Sequence, residues 1–310
     1  NKARKNWNSV GDHAPAYLIN LWLATEEERY KLMLEDTFDT IEKYFQDYDN
    51  SPFVQEKFYD SWEKDQSWGW QQNRAVVGHN LKIAWNLMRY YSIDPKKGYK
   101  ELAEKIAELM PQFGYDKQRF GWYDVVDRVV KPGQKFHRYA WHDRKAWWQQ
   151  EQGILAYFIL QGLFPDNKDY EKYADESAAF YNSFFIDNSD GGVYFNVLAN
   201  GMPYLLGTER FKGSHSMSAY HSTELCFLST IYIDLMTNKR PLDLYFSPLP
   251  GGFKDNILRV SPDILPKGSV KLTGCEINGE NYSDYDSNQL HVHLPHSADR
   301  LKVKVTLTPV

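Results

Sequence analysis

The chain has 310 residues, 42% hydrophobic and 25% charged, a globular composition with enough apolar material for one large core or two smaller ones. A formal net charge of −5, with no basic stripe in either half, argues against nucleic acid and anionic membranes as partners. Two cysteines, Cys226 and Cys275, cannot make a disulfide framework, and no apolar stretch approaches the roughly 20 residues that cross a bilayer.

The first residues, "NKARKNW", lack an initiator methionine and read as the start of an internal fragment, for which a cytoplasmic location is expected. Helical periodicity then predicts seven segments, at about 15–24, 26–48, 78–92, 96–111, 144–162, 167–185 and 218–237. The second carries a capping box at Thr25 and Glu28 and a charged face, and "DPKKGYKELAEKIAELM" has the same amphipathic character. The alternate segments, "PAYLINLWLA", "HNLKIAWNLMRYY", "RKAWWQQEQGILAYFIL" and "YHSTELCFLSTIYIDLM", are apolar over most of their circumference. Inner and outer helices in strict alternation predict a mainly α fold, an (α/α)6 toroid of which about five N-terminal helices are missing.

Two connections, "FGWYDVV" at 120–126 and "DGGVYFNVL" at 190–198, predict hairpins on one rim. After "NKRPLDLYF" the pattern turns to alternation between Gly, Pro, Asn and Asp turns, which predicts a small β module. The expected division is a helical domain over 1–242 and the β module over 243–310.

His13, His79 and His221 open three of the four inner helices, and Trp147 and Trp148 open the fourth. If the inner helices run parallel, these residues meet at one mouth. The partial positive charge of a helix N-terminus disfavours imidazolium, so the histidines are expected to stay neutral near pH 7 and able to accept a proton. Two imidazoles on opposite sides of a pocket suit removal of a hydrogen from one face of a carbon and its return from the other. Aromatic residues make up 16% of the chain and favour a sugar ligand, since such rings stack on the apolar faces of sugars.

Other candidates carry plainer readings. His221 and Glu224 stand three apart, but there is no HExxH and no Cys–His cluster, so no metal is expected. His215 rivals His221 for the third position; His137 and His142 flank the Trp pair in a loop; His291 and His293 fall on one face of a strand read as a solvated edge; Asp190 reads as turn chemistry. Phosphate-loop, dinucleotide and nucleophile-elbow motifs do not occur, so no cofactor is expected.

Four segments in this order, "SVGDHAPAYLINLW", "VVGHNLKIAWNLM", "AWWQQEQGILA" and "FKGSHSMSAYHSTELCFL", resemble the N-acylglucosamine 2-epimerase family, which includes cellobiose 2-epimerases and mannose isomerases. The resemblance covers roughly 7–245, the C-terminal seven of twelve barrel helices, and implies an enzyme acting on an open-chain sugar through a cis-enediolate. Carried over, it makes His79 and His221 the acid/base pair, gives His13 a role in ring opening or hydroxyl binding, and stacks Trp148 on the sugar. Trp147, Lys82, Glu151, His215 and Glu224 complete the expected substrate-binding set. Where family members carry a glutamate three residues after the Gly-His histidine, this chain has Lys82, and Glu151 or Gln152 falls at a second acidic position.

The expected function is therefore a cofactor-independent sugar epimerase or isomerase. Its expected partners are a small sugar or oligosaccharide and, at most, a second copy of the chain in a homodimer. Two alternatives stand beside it. One is a glycoside hydrolase on the same barrel, drawing paired carboxylates about 5–9 Å apart from Asp12, Asp143, Glu151 and Glu224. The other is a carbohydrate-binding relative in which Lys82 marks lost catalysis.

Overall fold

The computed structural model describes residues 4–310 apart from 9, 66, 68–72, 207–211, 213–216 and 254, together with the side chain of Asp12. Among the described residues the helices are α1 (Val10–Thr25), α2 (Glu28–Tyr44), α3 (Val77–Tyr91), α4 (Lys97–Phe113), α5 (Trp147–Leu163), α6 (Lys168–Phe184) and α7 (Ala219–Ile231). A π-helical turn, Tyr232–Thr237, continues α7. All seven predicted segments are present, and the ends that differ have local causes. Proline favours a first helical turn, so α1 was expected to start at Pro15. It starts at Val10, with Pro15 inside the helix and Gly11 of the first turn packed on Phe45, whose ring would lie 3.0 Å from a Cβ there.

Burial sorts the helices into two layers. From Val77 to Tyr90, α3 is buried on every side, and α5 nearly so, whereas α2 buries only Leu34, Phe38 and Ile41. α3 packs between α1, α4 and α5, and α5 packs on α6 and α7, so the odd-numbered helices form the inner layer. α1 and α7 leave Tyr17, Leu21 and Phe227 exposed, and they are the open edges of the arc.

Three connections repeat one arrangement. The outer helices close at Phe45, Gly114 and Phe185, whose carbonyls accept from the N–H groups of Gln55, Tyr123 and Tyr194 at 2.8, 2.9 and 2.9 Å. Two residues after each closing residue stands an aspartate paired with a lysine: Asp47 with Lys64, Asp116 with Lys145 (2.8 Å) and Asp187 with Lys212 (2.9 Å). Each connection then enters a strand paired antiparallel with one that precedes an inner helix: Lys57–Tyr59 with Arg4–Asn6, Val125–Asp127 with Arg74–Val76, and Asn196–Leu198 with Arg144–Ala146. The two expected rim hairpins therefore hold only single bridges, Tyr115 to Trp122 and Ile186 to Val193. Their outgoing strands are used across the repeat, which is also why α5 starts at Trp147 and not at Arg144.

The C-terminal part forms a four-stranded antiparallel sheet in the order Glu280–Asn281, Val270–Ile277, Val303–Pro309, Leu242–Phe246. A three-stranded sheet runs Tyr285–Asp286, His291–His293, Ile257–Arg259. His291–His293 is thus a central strand and not the expected edge, with His291 Nε2 bound to Glu26 at 3.0 Å and His293 Nδ1 to Asp284 at 2.7 Å. Leu258, Val260 and Ile264 join the same apolar cluster as α3 and α5.

One buried ion pair ties this part to the helices. Arg89 of α3 donates from Nε to both carboxylate oxygens of Asp263, at 2.9 and 2.8 Å, and Tyr232 donates to Asp263 at 3.0 Å. Removing one partner of such a pair strands a charge in the core, so Asp263→Ala is expected to cost about 3–5 kcal/mol of stability. Tyr232→Phe, which deletes one hydrogen bond, is expected to cost only about 1 kcal/mol. Urea unfolding followed by circular dichroism measures both, and equal midpoints for D263A and the parent would contradict the assignment.

Candidate active site

The N-terminal turns of the inner helices lie side by side because α3 and α5 begin in contact. A Cβ at Gly78 would sit 2.7 Å from Gln149 Cγ and 2.8 Å from Trp148 Cζ3, so only glycine fits there. The N–H of Gly78, one of the donors a helix start leaves unpaired, is satisfied across the gap by Gln149 Oε1 at 2.7 Å. Gln149 in turn donates to Asp124.

That contact gathers the predicted aromatic and histidine residues. The Trp148 ring centroid lies 5.5 Å from that of His79 and 5.7 Å from that of His221. Trp147 stands 6.0 Å from His221, and His13 is 5.8 Å from His221 and 6.1 Å from Tyr220. His79 and His221 are both buried, at 4% and 9% exposure, so each imidazole acts in a largely desolvated setting. They occupy the third position of α3 and α7, which Gln149 holds in α5; His13, the fourth residue of α1, is one place further along.

Beneath this layer, one helical turn further in, the sixth positions of α3, α5 and α7 meet as Lys82, Gln152 and Glu224. Lys82 Nζ donates to Glu224 Oε2 and to the Tyr220 hydroxyl, both at 3.1 Å, and Tyr220 donates to Glu224 Oε1 at 3.0 Å. Burial and the neighbouring Glu224 carboxylate raise the Tyr220 pKa, which keeps its proton in place as a donor. Gln152 Nε2 lies 3.2 Å from His221 Nδ1 and 3.5 Å from Glu224 Oε2, while its Oε1 accepts from Trp85 Nε1 at 3.0 Å. Lys82, which stands where a carboxylate was expected, therefore serves Glu224.

The alternatives Glu151 and Gln152 are separated by the direction in which each points. Gln152 faces the histidine layer, whereas Glu151 Oε1 accepts from Tyr181 at 2.7 Å and Ser222 at 2.6 Å, between α5, α6 and α7. Burial pushes the Glu151 carboxyl up to about 7, against the lowering effect of those two bonds.

Two site residues escape sequence reading. Glu56, in the connection after α2, places Oε1 2.9 Å from His79 Nδ1, and Tyr220 was hidden beside its histidine neighbour. The signal that would have found Glu56 is the repeat, which sets it level with Asp124, the partner of Gln149. Of the remaining candidates, His137 is held by the Asp127 carbonyl at 2.6 Å and packs on Phe53 and Phe113, away from the mouth. His142 is exposed in a loop near Tyr204, and Asp190 donates its N–H to Asp187 in a turn. His215 and the Asp12 side chain lie outside the described residues. Among the described residues, no three His, Cys, Asp or Glu side chains gather as metal ligands.

With this geometry in hand, three comparisons place the chain among known proteins. A family model described as N-acylglucosamine 2-epimerase (GlcNAc 2-epimerase) matches residues 5–221. The fold is similar to that of cellobiose 2-epimerase from Bacillus thermoamylovorans B4167, with a TM-score of 0.59, 19% identity, and coverage of 72% of this chain and 52% of that one. A D-mannose isomerase gives a TM-score of 0.62 at 18% identity, with coverage of 73% of this chain and 56% of the other. Endoglucanase 6 of Arabidopsis thaliana is 23% identical over 210 residues, which are 66% of this chain and 25% of that protein. The chain thus spans about half the length of the matched epimerase and isomerase structures.

The raised carboxyl of Glu151 has a consequence for stability. A folded-state pKa near 7, above the ordinary 4.5, means that the protonated acid stabilises the fold in full below the unfolded value and that this contribution is lost as pH rises through 7. Across that window the loss is on the order of 3 kcal/mol. Glu151→Gln, which keeps an acceptor for Tyr181 and Ser222, is expected to flatten the fall in melting temperature between pH 5 and pH 8. Identical pH profiles for the variant and the parent would refute this account.

Proposed function

The chain belongs to the N-acylglucosamine 2-epimerase family, and from that premise we propose that it is a cofactor-independent sugar epimerase or isomerase moving a proton at C2 of an open-chain aldose. The observation that carries the reading is the placement of His79 and His221, from equivalent positions of two inner helices, at nearly equal distances from the Trp148 ring. An indole with two imidazoles close to it offers an apolar face for a sugar carbon chain beside two groups able to transfer a proton. Glu56 beside His79 supports the imidazolium formed when that ring takes a proton, as a carboxylate partner does for a general base.

In this reading the C2–H bond breaks, its electron pair forms a cis-enediolate, and the proton returns to C2 or to C1. His13, Tyr220 and Trp147 border the same mouth and are assigned to hydroxyl binding and ring opening. Lys82, Gln152 and Glu224 hold the layer beneath. The seven helices are read as part of an (α/α)6 barrel, with residues 1–242 as its helical unit and 243–310 as a β module. The two-layer packing and the exposed apolar edges of α1 and α7 support that assignment. Glycoside cleavage would need two carboxylates facing one bond, whereas Glu151 is bound by Tyr181 and Ser222, and Glu224 by Lys82 and Tyr220.

The test incubates the full-length protein in deuterium oxide with glucose, mannose, N-acetylglucosamine and cellobiose and follows deuterium at C2 by proton NMR. Label is expected to enter C2 of at least one sugar and to fall by about 10²–10⁴ in each of His79→Ala and His221→Ala. Reducing ends released from oligosaccharides with no C2 label would overturn the reading in favour of hydrolysis.

A further inference from the structure

The end of α1 and the β module enclose a cleft that the chemistry of the mouth does not use. Its volume is about 500 Å³, inside the roughly 300–1,000 Å³ of small-molecule sites. Glu26 follows α1 directly, whereas His13 sits in the first turn of that helix. At about 1.5 Å of rise per residue, the cleft lies roughly 20 Å from the mouth.

A shared carboxylate fixes part of the lining. Glu26 closes α1 at φ +54°, with its N–H bonded to the Trp22 carbonyl at 2.7 Å. Its Oε2 accepts from Arg259 Nε at 2.8 Å and its Oε1 lies 3.0 Å from His291 Nε2, so paired residues of two neighbouring strands hold it. Leu290, which precedes His291, also has a positive φ, +58°. Two non-glycine residues in the left-handed region are a costly backbone of the kind that concentrates at ligand sites.

The other lining groups supply apolar surface and amides. Trp22 is half-buried in the cleft, and Ile264, Val270 and Leu290 line it from the core. Asn288 and Gln289 are exposed on a turn whose backbone N–H groups are both bound to Asp286 Oδ1 at 2.9 Å. That turn keeps its shape without the two amide side chains, each of which can donate and accept. The charges balance. Glu26 and Asp255 share Arg259, Asp263 is paired with Arg89, and Lys267 supplies a third cation against the three carboxylates.

An indole surface beside amides that work in both directions, with no net charge, matches an uncharged polyhydroxylated ring. The C–H side of such a ring packs on the indole, and its hydroxyls bond the amides and the second lone pairs of the Glu26 oxygens. We propose that this cleft is a second carbohydrate site, separate from the mouth, which holds an uncharged sugar in its closed-ring form.

The site stands independently of the reaction at the mouth, so the probes are methyl glycosides, which cannot open their rings. Methyl β-glucoside, methyl α-mannoside and methyl β-cellobioside are titrated into the full-length protein labelled with ¹⁵N-tryptophan, and the Trp22 indole signal is assigned from Trp22→Phe. That signal is expected to shift saturably with at least one glycoside. Trp22→Ala should weaken binding at least about tenfold, as loss of an aromatic anchor does. Gln289→Ala, on the exposed turn, should weaken it about threefold, as loss of one hydrogen bond does. Trp148→Ala, at the mouth, should leave the titration of Trp22 unchanged. No shift at Trp22 with any glycoside overturns the proposal. Binding that is lost in Trp148→Ala and kept in Trp22→Ala also overturns it, by placing the sugar at the mouth. Tighter binding of methyl β-glucuronide than of methyl β-glucoside overturns the uncharged class. Should Trp22→Ala fail to fold, the wild-type shift and the Gln289→Ala titration decide the point.

Discussion

The site depends on one close approach: the first turn of α3 against the first turn of α5, possible because Gly78 has no side chain. From it follow the position of Trp148 close to both His79 and His221 and the capping of the α3 start by Gln149. Helix starts carry unpaired N–H groups and partial positive charge, so bringing them together is costly unless acceptors arrive from elsewhere. Here the acceptors are side chains and carbonyls of neighbouring repeats, including Gln149 Oε1, the Asp124 carbonyl to Val77 and the Phe195 carbonyl to Trp147. The mouth is thus a place where backbone polarity is satisfied between repeats and not within them, which holds its side chains in fixed relation.

Much of this was legible in the sequence because it rests on periodicity. Apolar residues over most of the circumference of α3 and α5 mark inner helices, and the histidines and tryptophans at the inner-helix starts mark one end of the layer. What sequence could not reach was decided by pairing over long separations. Glu56 sits in a connection placed by a strand ladder to residues some fifty positions earlier, so its approach to His79 has no local signature. Glu151 and Gln152 are neighbours whose side chains diverge by about 100° around the helix, and only packing decides which faces the site. Lys82 looked like an anomaly when read against His79; its partner proves to be Glu224, on a helix 142 residues away.

The C-terminal sheets are joined to the helices through the deepest part of α3. Arg89 lies three turns from His79 on the same helix, and its guanidinium is held by Asp263 and, at 3.2 Å, by Asn86. A charge so far from water is tolerated only with its partner present. The β module therefore completes the polar interior of the inner layer at the end opposite the mouth.

The repeated closure of each helical hairpin also separates shape from chemistry. In every unit the register is set by a short ladder and an aspartate–lysine clasp on the rim, none of which uses the third or sixth residue of the inner helix. Those positions read His and Lys, Gln and Gln, then His and Glu in successive units, on backbones closed in the same way. The rim behaves as a chassis with exchangeable fittings: the residues at the third and sixth positions differ from unit to unit, and with them the protons that can be held there, while the ladders and clasps that close each hairpin stay the same.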